Sequence, residues 1–366
     1  MSGADQSEMP EVWDAETQQP HGGQEWRFLP NFVADFSVTL NSLPPPGEAM
    51  AAARESLQTI CHYPPGDMEP TRTELARFLW PDLDPARQRG MFLLGNGASE
   101  LIDLVVRDAR PGPWKPGPAT SQYMEYERAA TAYGRQTVPW DDPDAPLTCL
   151  VNPNNPTGDW WTRDRVLSHI ERYCNDGSTV LVDESMLMWH GPQWRDHSLL
   201  SAMDQLGELR SSRDIRVWIM HSWTKIWSCP GLRLGSVIGP SAADVSRLKR
   251  VQVPWSVNTP ALAFLGEAVK DTAYMEEVWA VTPGWRAHLV AGLERDHPEW
   301  SVHGEPFLSW VWVDTGSEAT ALDAVAKARA AGLPIRHGAP GFAQPECIRI
   351  GVREPGVVDQ LLAAIR

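Results

Sequence analysis

Ile215-Arg-Val-Trp-Ile-Met-His-Ser-Trp-Thr-Lys225-Ile-Trp-Ser-Cys-Pro-Gly-Leu-Arg233-Leu-Gly-Ser-Val-Ile238 holds two apolar runs around a polar, glycine-containing turn with a single lysine in it. The runs 215–220 and 235–238 read as strands. Upstream, 148–151 and 179–182 read the same way, and these segments deliver Asn152, Asp183 and Ser222 at or near strand ends. Helical patterns lie between them. One runs from Ala98 through Val106, with Leu101, Ile102 and Val105 on one face, and another follows Thr162. Short strands alternating with helices predict an α/β architecture with a mainly parallel sheet. In such sheets ligands collect beyond the carboxyl ends of the strands, where the three polar residues stand.

The chain has 366 residues, enough to bury a large core and to form two sub-domains. With 42% apolar and 22% charged residues it reads as an ordinary soluble globular protein. Forty-seven acidic against 32 basic side chains, a net charge of −15, argue against a nucleic-acid or anionic-membrane partner. Any anion it binds must therefore sit in a locally basic pocket. Cys61, Cys149, Cys174, Cys229 and Cys347 are far apart and form no C-x-x-C pair, so neither a disulfide framework nor a metal site is expected. A reducing, cytoplasmic setting follows as an expectation. The N-terminus is polar and acidic without a basic-then-apolar leader, its first twenty or so residues are expected to be loose, and no stretch approaches a membrane span.

After about Val251 the pattern changes to that of a smaller domain: a strand at 307–313, a helix at 319–331 and short strands at 334–336 and 348–352. The proline-rich stretch 111–118 reads as a loop and Pro44-Pro45-Pro46 as a stiff turn.

Taken alone, a lysine between a strand and a turn is a solvated surface charge. Here Ser222 and Arg233 stand at spacings that let them surround, together with Lys225, one ligand bearing a phosphate and an aldehyde. The hydroxyl and guanidinium suit the phosphate, and the amine suits a Schiff base. Val151-Asn-Pro-Asn-Asn155-Pro-Thr-Gly158 by itself makes turns. Val180-Leu-Val-Asp183 ends a buried run on a carboxylate, which there needs a cation. A protonated pyridine nitrogen would satisfy it and would be kept protonated by it. Gly95-Asn-Gly97 begins like a dinucleotide fingerprint, but Glu100 stands in place of the third glycine.

In this order the three segments resemble the pyridoxal-phosphate enzymes of the class I/II aminotransferase family. The resemblance implies the fold-type-I architecture: an α/β large domain whose mainly parallel sheet is sandwiched by helices, plus a smaller α+β domain. It implies pyridoxal 5'-phosphate as cofactor and no metal. Lys225 would hold the cofactor as a Schiff base and move the Cα proton, Asp183 would bind the ring nitrogen, and Asn155 the ring hydroxyl O3′. Ser222 and Arg233 would hold the phosphate together with the amides of Ala98 and Ser99, at a helix start that favours an anion. Tyr123, in Gln122-Tyr-Met-Glu-Tyr126, fits the aromatic that stacks on the ring, although Ser121 replaces the usual proline and a plain core tyrosine would need no such role. Tyr63, in His62-Tyr-Pro64, would reach the cofactor phosphate of a neighbouring subunit, which implies a homodimer with shared active sites. Arg349 would take a substrate α-carboxylate in a bidentate fork, where otherwise it is an arginine at a strand end.

His21-Gly22-Gly23, Asp35-Phe-Ser-Val-Thr-Leu-Asn41, Pro230-Gly-Leu-Arg233-Leu-Gly235 and Val253-Pro-Trp-Ser-Val-Asn258 look like the threonine-phosphate decarboxylase branch, itself similar to histidinol-phosphate aminotransferases. That branch implies a small phosphorylated amino compound, with the His21 loop covering it and Arg336 meeting its phosphate. His21-Gly22-Gly23 alone is a turn. The implied organisation is a flexible segment 1–23 with the covering loop, an arm 24–44, a cofactor-binding domain 45–250 and a small domain 251–366. Met186 stands where many aminotransferases carry a tyrosine that donates to O3′, and Thr39 and Ser42 replace an asparagine and a proline of the decarboxylase pattern. The expected activity is that of a lyase acting at Cα of a small, phosphorylated amino acid. The alternative is a histidinol-phosphate-type transaminase passing an amino group to 2-oxoglutarate. A cofactor-binding but inactive regulator is a remoter third, opposed by Lys225, Asp183, Asn155 and Arg233.

Overall fold

The computed structural model describes residues 21–366, so the expectation of a loose segment at 1–20 lies outside it. The chain divides into two units. The larger runs from Leu40 to Gly284 and takes in Gly304–Ser309; the smaller holds the described residues up to Thr39, Trp285–His303 and Trp310–Arg366.

The larger unit is built on six strands: β1 Phe92–Asn96, β2 Trp114–Pro116, β3 Leu147–Val151, β4 Thr179–Asp183, β5 Arg216–His221 and β6 Leu234–Ile238. Their order is β1-β6-β5-β4-β3-β2. β2 through β5 run parallel, while β6 is antiparallel to both β5 and β1. β4 is buried along its whole length, as a strand covered on both faces must be, and between Thr179 and the terminal aspartate its sequence is accordingly apolar. The helix Gly97–Asp108 buries Leu101, Ile102, Leu104, Val105 and Val106 in one core with Leu147, Cys149, Leu181, Met220 and Val237. Thr162 caps the helix Arg163–Tyr173 by accepting from the amide of Arg165.

The proline-rich stretch expected to be a loop contains β2, where Trp114-Lys-Pro116 pairs with Leu147-Thr-Cys149. Pro116 is tolerated because β2 is the sheet edge, where a missing N–H breaks no ladder on the outer side.

The register sets up the site. Val151, Asp183 and Met220 lie abreast, so the residues that follow β3, β4 and β5 emerge along one edge. Asn96 pairs with Leu234, which brings Gly97 beside Arg233.

The smaller unit holds β7 Ser301–His303, β8 Trp310–Asp314, β9 Arg336–His337 and β10 Cys347–Gly351, all antiparallel, in the order β7-β8-β10-β9. Strand alternation sends Val311, Val313, Ile348 and Ile350 to a core shared with Leu361 and Val358. Trp312 and Cys347 pack with Phe342 on the other side. β8 starts later than the pattern of 307–313 predicts, because Leu308 donates to Glu305 O at 3.1 Å and closes a turn just before it. Among the described residues no helix is long and apolar enough to cross a membrane, and no group of three or more His, Cys, Asp or Glu gathers as a metal set.

Candidate active site

Asp183, at the end of β4, is 7% exposed. Burial raises its pKa; hydrogen bonds from Ser185 and Tyr126 and the charge of Lys225 pull the other way. The Tyr126 hydroxyl donates to Oδ2 at 2.7 Å and the Ser185 amide to Oδ1 at 2.8 Å. Tyr126 is fully buried, and burial together with the Asp183 charge lifts its pKa well above the usual value, so it stays a donor. Sequence reasoning quoted Tyr126 without giving it this role. A phenol inside the apolar face of the helix Glu125–Ala132 was the available signal, since a buried hydroxyl needs a partner. Tyr123, partly buried, meets the Tyr126 ring edge-on at 6.3 Å.

Asn155 is half-buried in the loop after β3. That loop is framed by Asn154, whose Nδ2 donates to Ser121 O at 2.9 Å and to Thr157 Oγ1 at 2.8 Å, while Gly158 N returns to Asn154 O at 2.8 Å. The bond to Ser121 ties the segment carrying Asn155 to the one carrying Tyr123. Met186 is 4% exposed and apolar and offers no hydroxyl donor.

Lys225 sits on the short helix Trp223–Ile226, whose other members are buried while it stays half-exposed. A clamp from far upstream holds this helix. Asn41 N donates to Lys225 O at 3.0 Å, and Asn41 Nδ2 donates to Ile226 O at 2.8 Å and to the Tyr274 hydroxyl at 3.1 Å. Ser222 N donates to Ser185 Oγ at 2.8 Å, and the Ser222 and Thr224 hydroxyls lie 3.0 Å apart. One network thus joins Asp183, Ser185, Ser222 and Thr224.

Arg233 has left-handed backbone, φ 60°, and an exposed side chain that turns back over Gly97. A Cβ on Gly97 would lie 2.5 Å from Arg233 Nη2, and Gly97 has φ +77°, so both space and backbone require glycine there. The helix that follows receives no side-chain cap from Asn96, and an uncapped helix start with amides such as those of Ala98 and Ser99 suits an anion. Guanidinium, helix start and hydroxyl suit a phosphate, and the buried carboxylate suits a pyridinium: the residues fit pyridoxal 5'-phosphate.

The smaller unit carries the other predicted residues. Arg336 on β9 and Arg349 on β10 are register partners, each 7% exposed. Their guanidinium carbons lie 5.9 and 5.4 Å from the centre of the same ring, Phe342. Burial lowers the Arg336 pKa to about 10. Arg336 Nη2 donates to Pro340 O at 2.6 Å, and Arg349 Nη2 to Ser37 O at 2.8 Å. Ser37 also organises the His21 loop. Its Oγ accepts from Gly23 N at 2.9 Å and donates to Asp35 at 2.6 Å, and a Cβ on Gly22 would lie 2.5 Å from that oxygen. His21 itself is half-buried. In the larger unit Tyr63, 77% exposed, stacks on the exposed Trp255 with ring centres 4.3 Å apart.

Comparison with known proteins gives the family. Residues 33–365 match the family described as aminotransferase class I and II. The threonine-phosphate decarboxylase of Salmonella typhimurium is 28% identical over 269 residues, covering 68% of each chain. A histidinol-phosphate aminotransferase of Anaeromyxobacter is 27% identical over 278 residues, 71% of each. The crystal structure of histidinol-phosphate aminotransferase from Sinorhizobium meliloti in complex with pyridoxal-5'-phosphate superposes with a TM-score of 0.77 at 20% identity, covering 91% of this chain and 90% of that one. With the family match spanning nearly the whole chain and the fold shared, this protein belongs to the class I and II aminotransferases, a family of pyridoxal-phosphate enzymes.

Proposed function

We propose that this enzyme acts at the Cα of a small phosphorylated amino acid and releases its carboxylate as carbon dioxide, as the name of the Salmonella relative describes. The observation that carries this reading is the pairing of Arg336 with Arg349 across two strands over one Phe342 ring. Like charges placed directly opposite on a sheet oppose folding, so a pair retained at a buried position suits a dianion such as a substrate phosphate.

Bound pyridoxal phosphate supplies a protonated ring that accepts the electron pair of a broken Cα bond. Asp183, oriented by Tyr126 and Ser185, would hold the proton at the ring nitrogen. Asn155 would meet O3′; Ser222, Arg233 and the amides of Ala98 and Ser99 would hold the cofactor phosphate, and Tyr123 would pack on the cofactor. Lys225 Nζ would bind the cofactor and move the proton at Cα. If both arginines grip the substrate phosphate, the substrate carboxylate is left unclamped and would be free to leave. With the cofactor bound, loss of the carboxylate as CO2 would leave a Cα that the Lys225 ammonium would reprotonate. His21 covers the bound substrate. The unit of function is a cytoplasmic homodimer in which Tyr63 reaches the neighbouring subunit's cofactor phosphate; the exposed Tyr63–Trp255 stack supports this.

A second reading has the two arginines working separately, and their different carbonyl partners, Pro340 and Ser37, favour it. Arg349 would then hold the substrate carboxylate and leave Cα–H as the bond to break, giving transamination. A charge-assisted hydrogen bond of about 1.5–3 kcal/mol that differs between the two poses changes their rate ratio by about one to two powers of ten. Mass spectrometry of products from pyridoxal phosphate, O-phospho-L-threonine and 2-oxoglutarate separates the readings. The decarboxylated amine without glutamate is expected. Glutamate with the matching keto acid would replace this reading with the transaminase.

A further inference from the structure

The loops that follow β2 and β3 enclose a cavity of about 330 Å³ in the larger unit. Gln122, Asn154, Trp160, Trp161, Arg165 and Glu305 line it, and none of these is among the residues placed around the cofactor. Three of them hold a buried polar atom with no hydrogen-bond partner among the described residues: Gln122 Nε2, Asn154 Oδ1 and Trp160 Nε1. Such atoms are costly and uncommon, and three around one cavity call for a common partner.

Their chemistry is fixed by what their neighbours already do. Gln122 Oε1 accepts from Gly117 N at 3.1 Å, which leaves its amide nitrogen as a donor. Asn154 Nδ2 donates to Ser121 and Thr157, which leaves Oδ1 as an acceptor. The Trp160 ring is wedged against His190 and His197 at 4.9 and 5.3 Å, so its indole N–H has little freedom to turn elsewhere. On the open side Arg165 lies 4.2 Å from the Trp161 ring centre, and Asp159 and Glu305 bring two carboxylates.

We propose that this cavity binds a small α-amino acid as its zwitterion, apart from the cofactor site. The ligand carboxylate takes the N–H donors of Gln122 and Trp160 and the charge of Arg165. The ammonium takes Asn154 Oδ1 with Asp159 and Glu305. A simple anion would face two carboxylates and leave Asn154 Oδ1 unmet, and a simple cation would leave both N–H donors unmet. The cavity volume is within the range of small-molecule sites. Occupancy would brace the segments that carry Tyr123 and Asn155, each one residue from a lining residue, so the ligand would act on the cofactor's surroundings without touching the cofactor.

The test is equilibrium dialysis of the pyridoxal-phosphate-loaded enzyme against labelled L-alanine, with Arg165→Ala and Trp160→Phe as variants. The expected result is a class of site weakened about tenfold or more by either change, while the visible absorbance of bound cofactor stays as in wild type. Three results would each overturn the proposal: L-alanine binding that neither variant weakens, no L-alanine binding at all, or a cofactor spectrum altered by both variants, which would place the atoms in the cofactor site. Acetate or ethylamine displacing the label as well as unlabelled L-alanine does would overturn the zwitterion.

Discussion

The two units bury charge of opposite sign and hold it in the same way. In the larger, Asp183 is a carboxylate at the end of a parallel strand, met by the Tyr126 hydroxyl and the Ser185 amide within reach of the Lys225 charge. In the smaller, Arg336 and Arg349 are guanidiniums on antiparallel register partners, each donating to a backbone carbonyl. Neutral dipoles orient the buried charge in both centres, and each centre suits a ligand of the opposite sign. The difference lies in what is recognised. A single carboxylate at a strand end selects one ring cation, whereas paired planar guanidiniums select a group with several oxygens.

Removing Lys225 is the most severe way to break the first half of this comparison. Lys225→Ala is expected to lower kcat by about three powers of ten or more and to shift or abolish the visible absorbance of bound cofactor, read by spectrophotometry. An unchanged band would sink the assignment of Lys225. The second half breaks less completely. Arg336→Met and Arg349→Met are each expected to lower kcat/KM for O-phospho-L-threonine about 10- to 100-fold, mostly through KM, with the cofactor spectrum preserved. A loss from Arg349→Met alone, seen equally with unphosphorylated L-threonine, would assign that residue to the carboxylate and support transamination. Finer still is Tyr126→Phe, which deletes only the hydroxyl facing Asp183. It is expected to cut kcat about tenfold and to weaken cofactor retention, measured by dialysis; full activity would show that the amide of Ser185 suffices.

Glu184 sharpens the contrast between neighbours. Burial, with the nearby Asp183 charge adding to it, pushes its pKa up to about 7, although Ser198 and the Leu199 amide donate to it. Its neighbour in the core, His221, is fully buried, stacks on Trp223 and has its pKa pulled down to about 3 by burial. The signs are opposite. The folded chain keeps the Glu184 proton that the unfolded chain releases near 4.5, so this stabilisation is complete below 4.5 and lost as pH rises through about 7. His221 excludes a proton that the unfolded chain takes near 6.5, so its contribution is complete above 6.5 and lost as pH falls toward 3. Urea unfolding at about pH 5 and about pH 8 should therefore show wild type losing about 1–3 kcal/mol relative to Glu184→Gln on going to the higher pH. A difference independent of pH would mean that Glu184 is ionised throughout.

Much of this was legible without coordinates, for local reasons. Buried strands announce themselves as apolar runs, and the polar residue that ends each run stands at the sheet edge whatever the rest of the chain does. That is why Asp183, Ser222 and the Asn152–Gly158 loop were readable, and why their order with Lys225 and Arg233 pointed to the family. β1, by contrast, contains Gly95 in its run, and β2 hides in a proline-rich stretch that only its place at the sheet edge explains.

By itself, then, the sequence determined the alternation of strands and helices and the chemical identity of the groups at the strand ends. Only the tertiary structure decided which of them meet. Tyr126 reaches Asp183 across 57 positions and Asn41 clamps the Lys225 helix across more than 180, distances that no periodicity spans. Arg336 stands opposite Arg349 only because β9 and β10 adopt one register, and a shift of one residue would send Arg349 to the other face. Contacts of that kind depend on packing and hydrogen bonding between segments far apart in the chain, and those are settled when the whole core closes.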